Sequence, residues 1–341
     1  MSFTFIHDDD GLAALQGPWN ELLRRSITDV PFLRHEYLSV WWSTLGGGEW
    51  PSGELWVGVR RDPLGRVNGV APLFFTRTRQ GRPGLMFLGS IEISDYLDLI
   101  AAADDVAALA EDLLAGLAEE GPPGWEVIDL YNLPESSSTL AALTEAAARR
   151  GWTATQERLQ PCPVVRLPAT FEEYLDGLDR KQRHELRRKI RRLEAHPDPV
   201  TWRIVGTNED LTAAVEAFMS LMAIDPEKRR FLTPAMRTQF QRSARVGQEN
   251  GWLQLALMDV AGVPVAGYLC LDYGNRIWVY NSGLNPEYQW LSPGWVLLAH
   301  LIEWAIEHGR QEFDFLRGNE DYKYRLGGVA HWVCRLTITR R

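Results

Sequence analysis

The residue types best suited to chemistry in this sequence gather near its C-terminus, where Phe313-Asp314-Phe315-Leu316 reads as a core strand running into the polar stretch Arg317-Gly318-Asn319-Glu320-Asp321-Tyr322-Lys323. Strand alternation puts Phe313 and Phe315 on one face and Asp314 with Leu316 on the other. An unpaired buried carboxylate is strongly disfavoured, so Asp314 must meet a cation, Arg317 and Lys323 being nearest in sequence, or line a polar cleft. Glu320, Asp321, Tyr322 and Lys323 follow just past the strand's C-terminal end, where open mixed sheets commonly place ligands. Carboxylates that take a proton and phenols that give one are the means of general acid–base chemistry.

Two other segments suit anions. Residues 180–192 hold eight Lys or Arg among thirteen. Leu186, Ile190 and Leu193 recur at helical spacing, so one face packs while Arg183, Arg187 and Arg191 align on another. That face is either simply solvated or a guanidinium site for phosphate or carboxylate. In Ser292-Pro293-Gly294, Ser292 suits a helix cap, Pro293 the first helical position, and Gly294 admits a bulky anion close to the backbone. This is a good helix start and also a fitting phosphate cradle.

The remaining composition narrows the class. At 341 residues the chain has room for two domains, and 45% hydrophobic with 24% charged residues is a globular balance. A net charge of -9 argues against a general nucleic-acid coat, so DNA is not an expected partner and any phosphate site must be local. The start MSFTFIHDDD has no basic and apolar leader pattern, and no window is apolar enough for a membrane span, so a cytoplasmic protein without membrane insertion is expected. Cys162, Cys270 and Cys334 lack metal or disulfide spacing, and the seven histidines form no ligand motif; the expected site is metal-free. Trp41, Trp42, Trp278, Trp290, Trp295 and Trp304 are expected to be core residues rather than a sugar platform. Nothing in the composition bears on oligomeric state.

The elements needed to position these residues come twice. The first half reads as strand 3–7, helices 10–25 and 33–45, strands through 54–61 and 66–75, strand 96–101, helix 104–120, strand 125–131 and helix 136–150. The second repeats the order with strand 201–206, helices 208–223 and 234–250, strands 252–260, 263–273 and 276–283, helix 294–309, strand 311–316 and a last closing strand. Gly274-Asn275 supplies the hairpin turn between two of them. The offset is about 190 to 200 residues. The expected fold class is α+β (mixed α/β), each copy a mixed central sheet with helices on both faces, divided into residues 1–165 and 166–341.

This order resembles the GNAT fold. The segment from Phe313 to Gly327 is similar to the C-terminal signature of the CelD-like acetyltransferase family, relatives of the FemAB aminoacyltransferases, as are Ser94-Asp95-Tyr96-Leu97-Asp98, the Arg-rich stretch and Ser292-Pro293-Gly294. The resemblance implies two tandem GNAT domains, a link to cellulose or other exopolysaccharide synthesis, and transfer of an acyl group, acetyl first among candidates, from acyl-CoA to an amine of a small or sugar-like acceptor.

On that reading the second copy binds the donor at Ser292 and Gly294, with Asn281 and Gly283 positioning the acyl group. Asp314 or Glu320 serves as base and Tyr322 or Tyr280 as acid. Asp95, Tyr96, Arg183, Arg187, Arg317 and Lys323 contact the acceptor. Asp104 and Asp105 open the corresponding helix of the first copy, where they would repel phosphate, so that copy is expected to lack a donor site and to shape the acceptor side. The rivals are a FemAB-like transferase using charged tRNA, for which a single basic helix leaves little surface, and a catalytically silent binding or scaffold protein.

Overall fold

Apolar alternation and capping side chains lay out the elements of the computed structural model, which describes residues 1–340. They form two compact units, residues 1–160 with Trp332 onward, and Pro161–His331.

The first unit holds β1 (Ser2–Ile6), α1 (Asp9–Ala14), α2 (Gln16–Leu23), α3 (His35–Gly48), β2 (Glu54–Leu55), β3 (Val57–Arg61), β4 (Val67–Ala71), β5 (Leu73–Arg77), β6 (Pro83–Phe87), α4 (Val106–Glu120), β7 (Val127–Pro134), α5 (Ser138–Arg149) and most of β8 (Thr153–Arg166). β1, β3 and β4 form a small sheet, and β2-β5-β6-β7 a larger one in which only β6 and β7 run parallel. The expected strand at 96–101 is absent except for a bridge between Val70 and Ile100. Tyr96 is left-handed (φ 54), and the fully buried Asp98 carboxylate accepts from Thr28 Oγ1 (2.6 Å), Ser137 Oγ (2.7 Å) and the Leu99 amide (2.8 Å). Side-chain bonding of this kind replaces a ladder.

The second unit continues with α6 (Phe171–Gly177), α7 (Arg180–Glu194), β9 (Val200–Ile204), α8 (Leu211–Met222), α9 (Pro226–Phe231), α10 (Pro234–Glu249), β10 (Leu253–Val260), β11 (Val263–Tyr273), β12 (Arg276–Leu284), α11 (Pro293–Glu307), β13 (Glu312–Asp314), α12 (Asp321–Arg325) and the start of β14 (Val329–Thr339). Its strand order is β13-β12-β11-β10-β9, and only β12 and β13 are parallel. Ala266, Tyr268, Cys270, Ile277 and Val279 share a core with Leu297, Leu298 and Leu301 of α11 on one face of the sheet. On the other, Gly267 and Gly283 face each other in register, and a Cβ on Gly283 would lie 2.6 Å from the Met222 amide. Bare backbone is what lets α8 come this close.

The closing strands differ from expectation. β14 pairs antiparallel with β7 of the first unit, while the end of β8 pairs antiparallel with β13 of the second. Alternation specifies which face of a strand is buried, but not which exposed edge accepts it.

Trp19, Trp41 and Trp278 are wholly buried, whereas Trp290 is 58% exposed. No described helix is long and apolar enough to cross a membrane. His35 is buried, its Nε2 2.8 Å from the Leu12 carbonyl, and burial lowers its pKa; burial does the same to His300. Both imidazoles protonate more readily in the unfolded chain, near pH 6.5, so the unfolded state binds more protons below that pH. The expected result is a unfolding midpoint that falls as pH is lowered below about 6.5, with a shallower dependence in His35→Gln. Thermal melts of both proteins between neutral pH and pH 5 check this, and parallel curves would remove His35 as a cause.

Candidate active site

The parallel pairing of β12 with β13 covers only Arg276 to Trp278 against Glu312 to Asp314, and the strands then part. Beyond Asp314 the chain follows β8 instead: the Phe315 amide donates to Pro163 (3.0 Å) and the Gly318 amide to Pro161 (3.0 Å). Leu316, left-handed at φ 55, makes the turn, and its amide is held by Asp314 Oδ1 at 2.8 Å. Asp314 is fully buried, and its other oxygen meets Arg276 at 3.4 Å. Asp314 therefore braces the strand end, and its burial removes the access a general base requires.

Parting of the strands opens a cleft of about 680 Å³. Ser282, Gly283 and Leu284 of β12 form one side; the end of α8, Pro226 and Lys228 of α9, Tyr268 of β11, the first turn of α11 and Tyr322 of α12 form the rest. Beta12 carries a bulge at Tyr280, because Asn281 pairs with Leu269 while Val279 pairs with Cys270. The Tyr280 ring lies 5.8 Å from that of Phe240 on α10, so this candidate acid is turned to the α10 side, and it is not among the cleft-lining residues. Asn281 sits beside the cleft, its Oδ1 accepting from Lys228 Nζ at 3.2 Å.

Ser292 does not cap α11. It is left-handed (φ 57, ψ 46), and its hydroxyl accepts from Arg192 Nη2 at 2.9 Å. The first-turn amides of α11 are thus left without a side-chain cap at the cleft, in the field of the helix N-terminus. Lys189, one turn earlier on α7, lines the same cleft with its Nζ 3.9 Å from the Trp295 ring centroid, and burial lowers its pKa. Arg192 Nε is buried without a hydrogen-bond partner. Pro293 has no N–H and the Trp295 and Val296 amides donate to the Ser292 carbonyl (3.1 and 3.2 Å), so the Gly294 amide is the one left over at the helix start, and with Lys189 and the nearby Arg192 it makes a site that fits a phosphate-bearing ligand. Arg183 and Arg187 instead pair with Asp176 (2.8 Å) and Glu172 (2.5 Å) of α6.

Tyr322 packs between Phe315 (6.0 Å between centroids) and Trp295 (6.5 Å). Burial, with the Glu320 charge, pushes its phenol well above the usual tyrosine range. Glu320 is more than half exposed and pairs with Lys323 at 3.0 Å. Lys323 is only 3% exposed and also donates to the carbonyls of Leu316 (3.2 Å) and Arg317 (2.8 Å), so it secures the loop that carries Arg317. Asp95 and Tyr96 are buried in the first unit.

Gly318 completes this loop at φ 132, where a Cβ would fall 2.2 Å from Glu320 Oε2 and 2.6 Å from Lys323 Nζ. Gly318→Ala is expected to cost on the order of 1–3 kcal/mol through strain and displacement of that pair. Urea denaturation reads the loss; an unchanged midpoint would show that the loop relaxes freely.

Sequence reasoning counted Lys189 and Arg192 only as members of the basic run 180–192 and passed over Lys228 and Tyr268. Asp225-Pro226 was the available signal for α9: Asp225 caps it by accepting from the amides of Glu227 (2.8 Å) and Lys228 (3.0 Å). Lys228 Nζ then bonds the Ser282 carbonyl and side chain, and burial lowers its pKa against the pull of Asp225 and Glu320. No cluster of three or more His, Cys, Asp or Glu able to hold a metal occurs among the described residues.

Residues 180–324 match the acetyltransferase (GNAT) domain family. No curated protein matches the chain in sequence. Among solved structures, FemX is similar with 13% identity and a TM-score of 0.67, covering 98% of this chain and 97% of that one. A tandem GNAT protein from the clavulanic acid biosynthesis pathway shows 14% identity and a TM-score of 0.52, covering 100% and 99%. L-PGS from Bacillus licheniformis shows 13% identity and a TM-score of 0.56, covering 98% and 92%. The segment 180–324, which holds the cleft-lining residues, thus matches the acetyltransferase (GNAT) domain family, in a chain whose fold is similar to those of FemX and a tandem GNAT protein.

Proposed function

We propose that the protein is an acyl-CoA-dependent N-acyltransferase whose donor occupies the cleft of the second unit. The observation that carries this reading is that Lys189 and the start of α11, whose Ser292 hydroxyl accepts from Arg192, line one cleft together with Tyr322. A donor with a diphosphate at one end and a thioester at the other matches that distribution of charge and phenol.

The amine nitrogen attacks the thioester carbonyl carbon; the C–N bond forms, the C–S bond breaks, and its electron pair leaves on sulfur. Glu320, more than half exposed and so accessible to an incoming ammonium, accepts the amine proton directly or through water. Tyr322 keeps its own proton at neutral pH. Its phenol is a weaker acid than a thiol, so it stabilises the departing sulfur by hydrogen bonding while the final proton comes from the amine.

The first unit is read as lacking a donor site of its own. Its helix α4 starts beside Asp105, whose carboxylate accepts from Arg60 and Asn68 at 3.0 Å each, an arrangement that disfavours a second phosphate site there. A small amine or amino sugar of cell-envelope or exopolysaccharide synthesis is the proposed acceptor.

The likeness to FemX favours one competing donor, an aminoacyl-tRNA. Calorimetric titration with acetyl-CoA and longer acyl-CoAs, followed by turnover on a panel of amines, tests the proposal. Absence of binding at millimolar acyl-CoA, together with RNase-sensitive transfer from charged tRNA, would replace it with the competing reading.

A further inference from the structure

A thioester has two heteroatoms that gain negative charge during transfer, and Tyr322 serves only one of them. Tyr268 is the second phenol of the cleft. It projects from β11 on the face that packs beneath α11, is only 4% exposed, and lines the cleft. None of the described residues gives its hydroxyl a hydrogen-bond partner. Buried hydroxyls are nearly always bonded, so one that opens into a cavity and meets no protein group is placed for a ligand or water.

Three features locate its target. A Cβ on Gly294 would stand 2.8 Å from Leu284 Cδ2 and 3.3 Å from the hydroxyl oxygen, so the missing side chain lets the start of α11 lie close to the hydroxyl. The hydroxyl lies under the sheet-facing side of α11, whereas Lys189 and Arg192 reach that helix from α7. Tyr322 lines the same cleft, so both phenols border the space a ligand would fill.

We propose that Tyr268 donates the hydrogen bond that holds the carbonyl oxygen of the bound thioester, a role that rests on the acyl-donor reading above. As the amine attacks, electron density from the C=O bond moves onto that oxygen and the Tyr268 O–H faces it. The density returns as the C–S bond breaks, the sulfur leaves with its pair toward Tyr322, and Tyr268 retains its proton throughout. A donor fixed in an apolar, water-poor setting stabilises such transient charge more than water does, because it need not reorient.

Isotope-edited infrared spectroscopy of acetyl-CoA labelled with ¹³C at the carbonyl, bound to wild type and Tyr268→Phe, tests this. The expected result is a lowered carbonyl frequency on the wild type that returns toward the solution value on the variant. Turnover per KM should fall roughly a hundredfold, as for removal of one such donor. Affinity for CoA itself, which has no acyl carbonyl, should be unchanged, and the melting temperature should hold because the lost hydroxyl has no protein partner.

An unshifted carbonyl on the wild type, or equal weakening of CoA and acetyl-CoA by the variant, would overturn the assignment while leaving the donor reading intact. Failure of the wild type to bind either compound would overturn both, and appears before any substitution is made.

Discussion

Tyr322→Phe is expected to lower kcat for acyl transfer about a hundredfold while leaving the donor KM near its wild-type value. The aromatic ring stays in place, since its contacts with Phe315 and Trp295 do not involve the hydroxyl. Only the hydrogen bond to the departing sulfur is lost, and that interaction is felt mainly in the transition state; such losses appear in kcat rather than in KM. Because burial and Glu320 hold the phenol protonated well past neutral pH, the activity of the wild type should not decline through its ionisation below pH 9. Initial-rate kinetics from pH 6 to 9 provide the check. A variant with unaltered kcat would remove Tyr322 from the chemistry, and a drop confined to KM would make it a binding residue.

Replacing both Lys189 and Arg192 by alanine should have the opposite signature. A hydrogen bond to a charged group is worth about 1.5–3 kcal/mol, so each loss is expected to raise the acyl-CoA KM by roughly 10- to 100-fold with kcat largely retained. Phosphates contribute equally to ground-state and transition-state binding, which is why the effect falls on KM. Arg183→Ala and Arg187→Ala are the controls: their partners are Asp176 and Glu172, outside the cleft, so the donor KM should scarcely move. Lys189→Ala also removes its contact with the Trp295 ring, at a stability cost of about 0.5–1 kcal/mol that melting curves will register. Equal donor KM values for wild type and the double variant would refute the phosphate site.

The two groups of basic residues show how far the sequence reading reached. Eight cations in thirteen residues marked α7 as an anion-binding candidate. Helical spacing correctly separated an apolar stripe from charged faces, with Leu186 and Leu193 buried. It could not choose among the charged faces, because that depends on which neighbour each one meets. Alpha6 brings acids to Arg183 and Arg187, while α11 brings Ser292 to Arg192. The same limit explains Asp314. Its cost in a core strand was evident from residue type, but one cation it meets, Arg276, stands 38 positions earlier and becomes a neighbour only through the parallel pairing of β12 with β13.

The sequence by itself determined the order of most elements and the mixed sheets with helices on both faces, because these follow from local periodicity. Tertiary structure decided the exchange of closing strands, the divergence of β12 and β13 that makes the cleft, the turning of Tyr280 toward α10, and the entry of Lys189, Lys228 and Tyr268. These depend on which edges and faces meet across long separations. Local pattern fixes the face a side chain points from, and only packing fixes what it points toward.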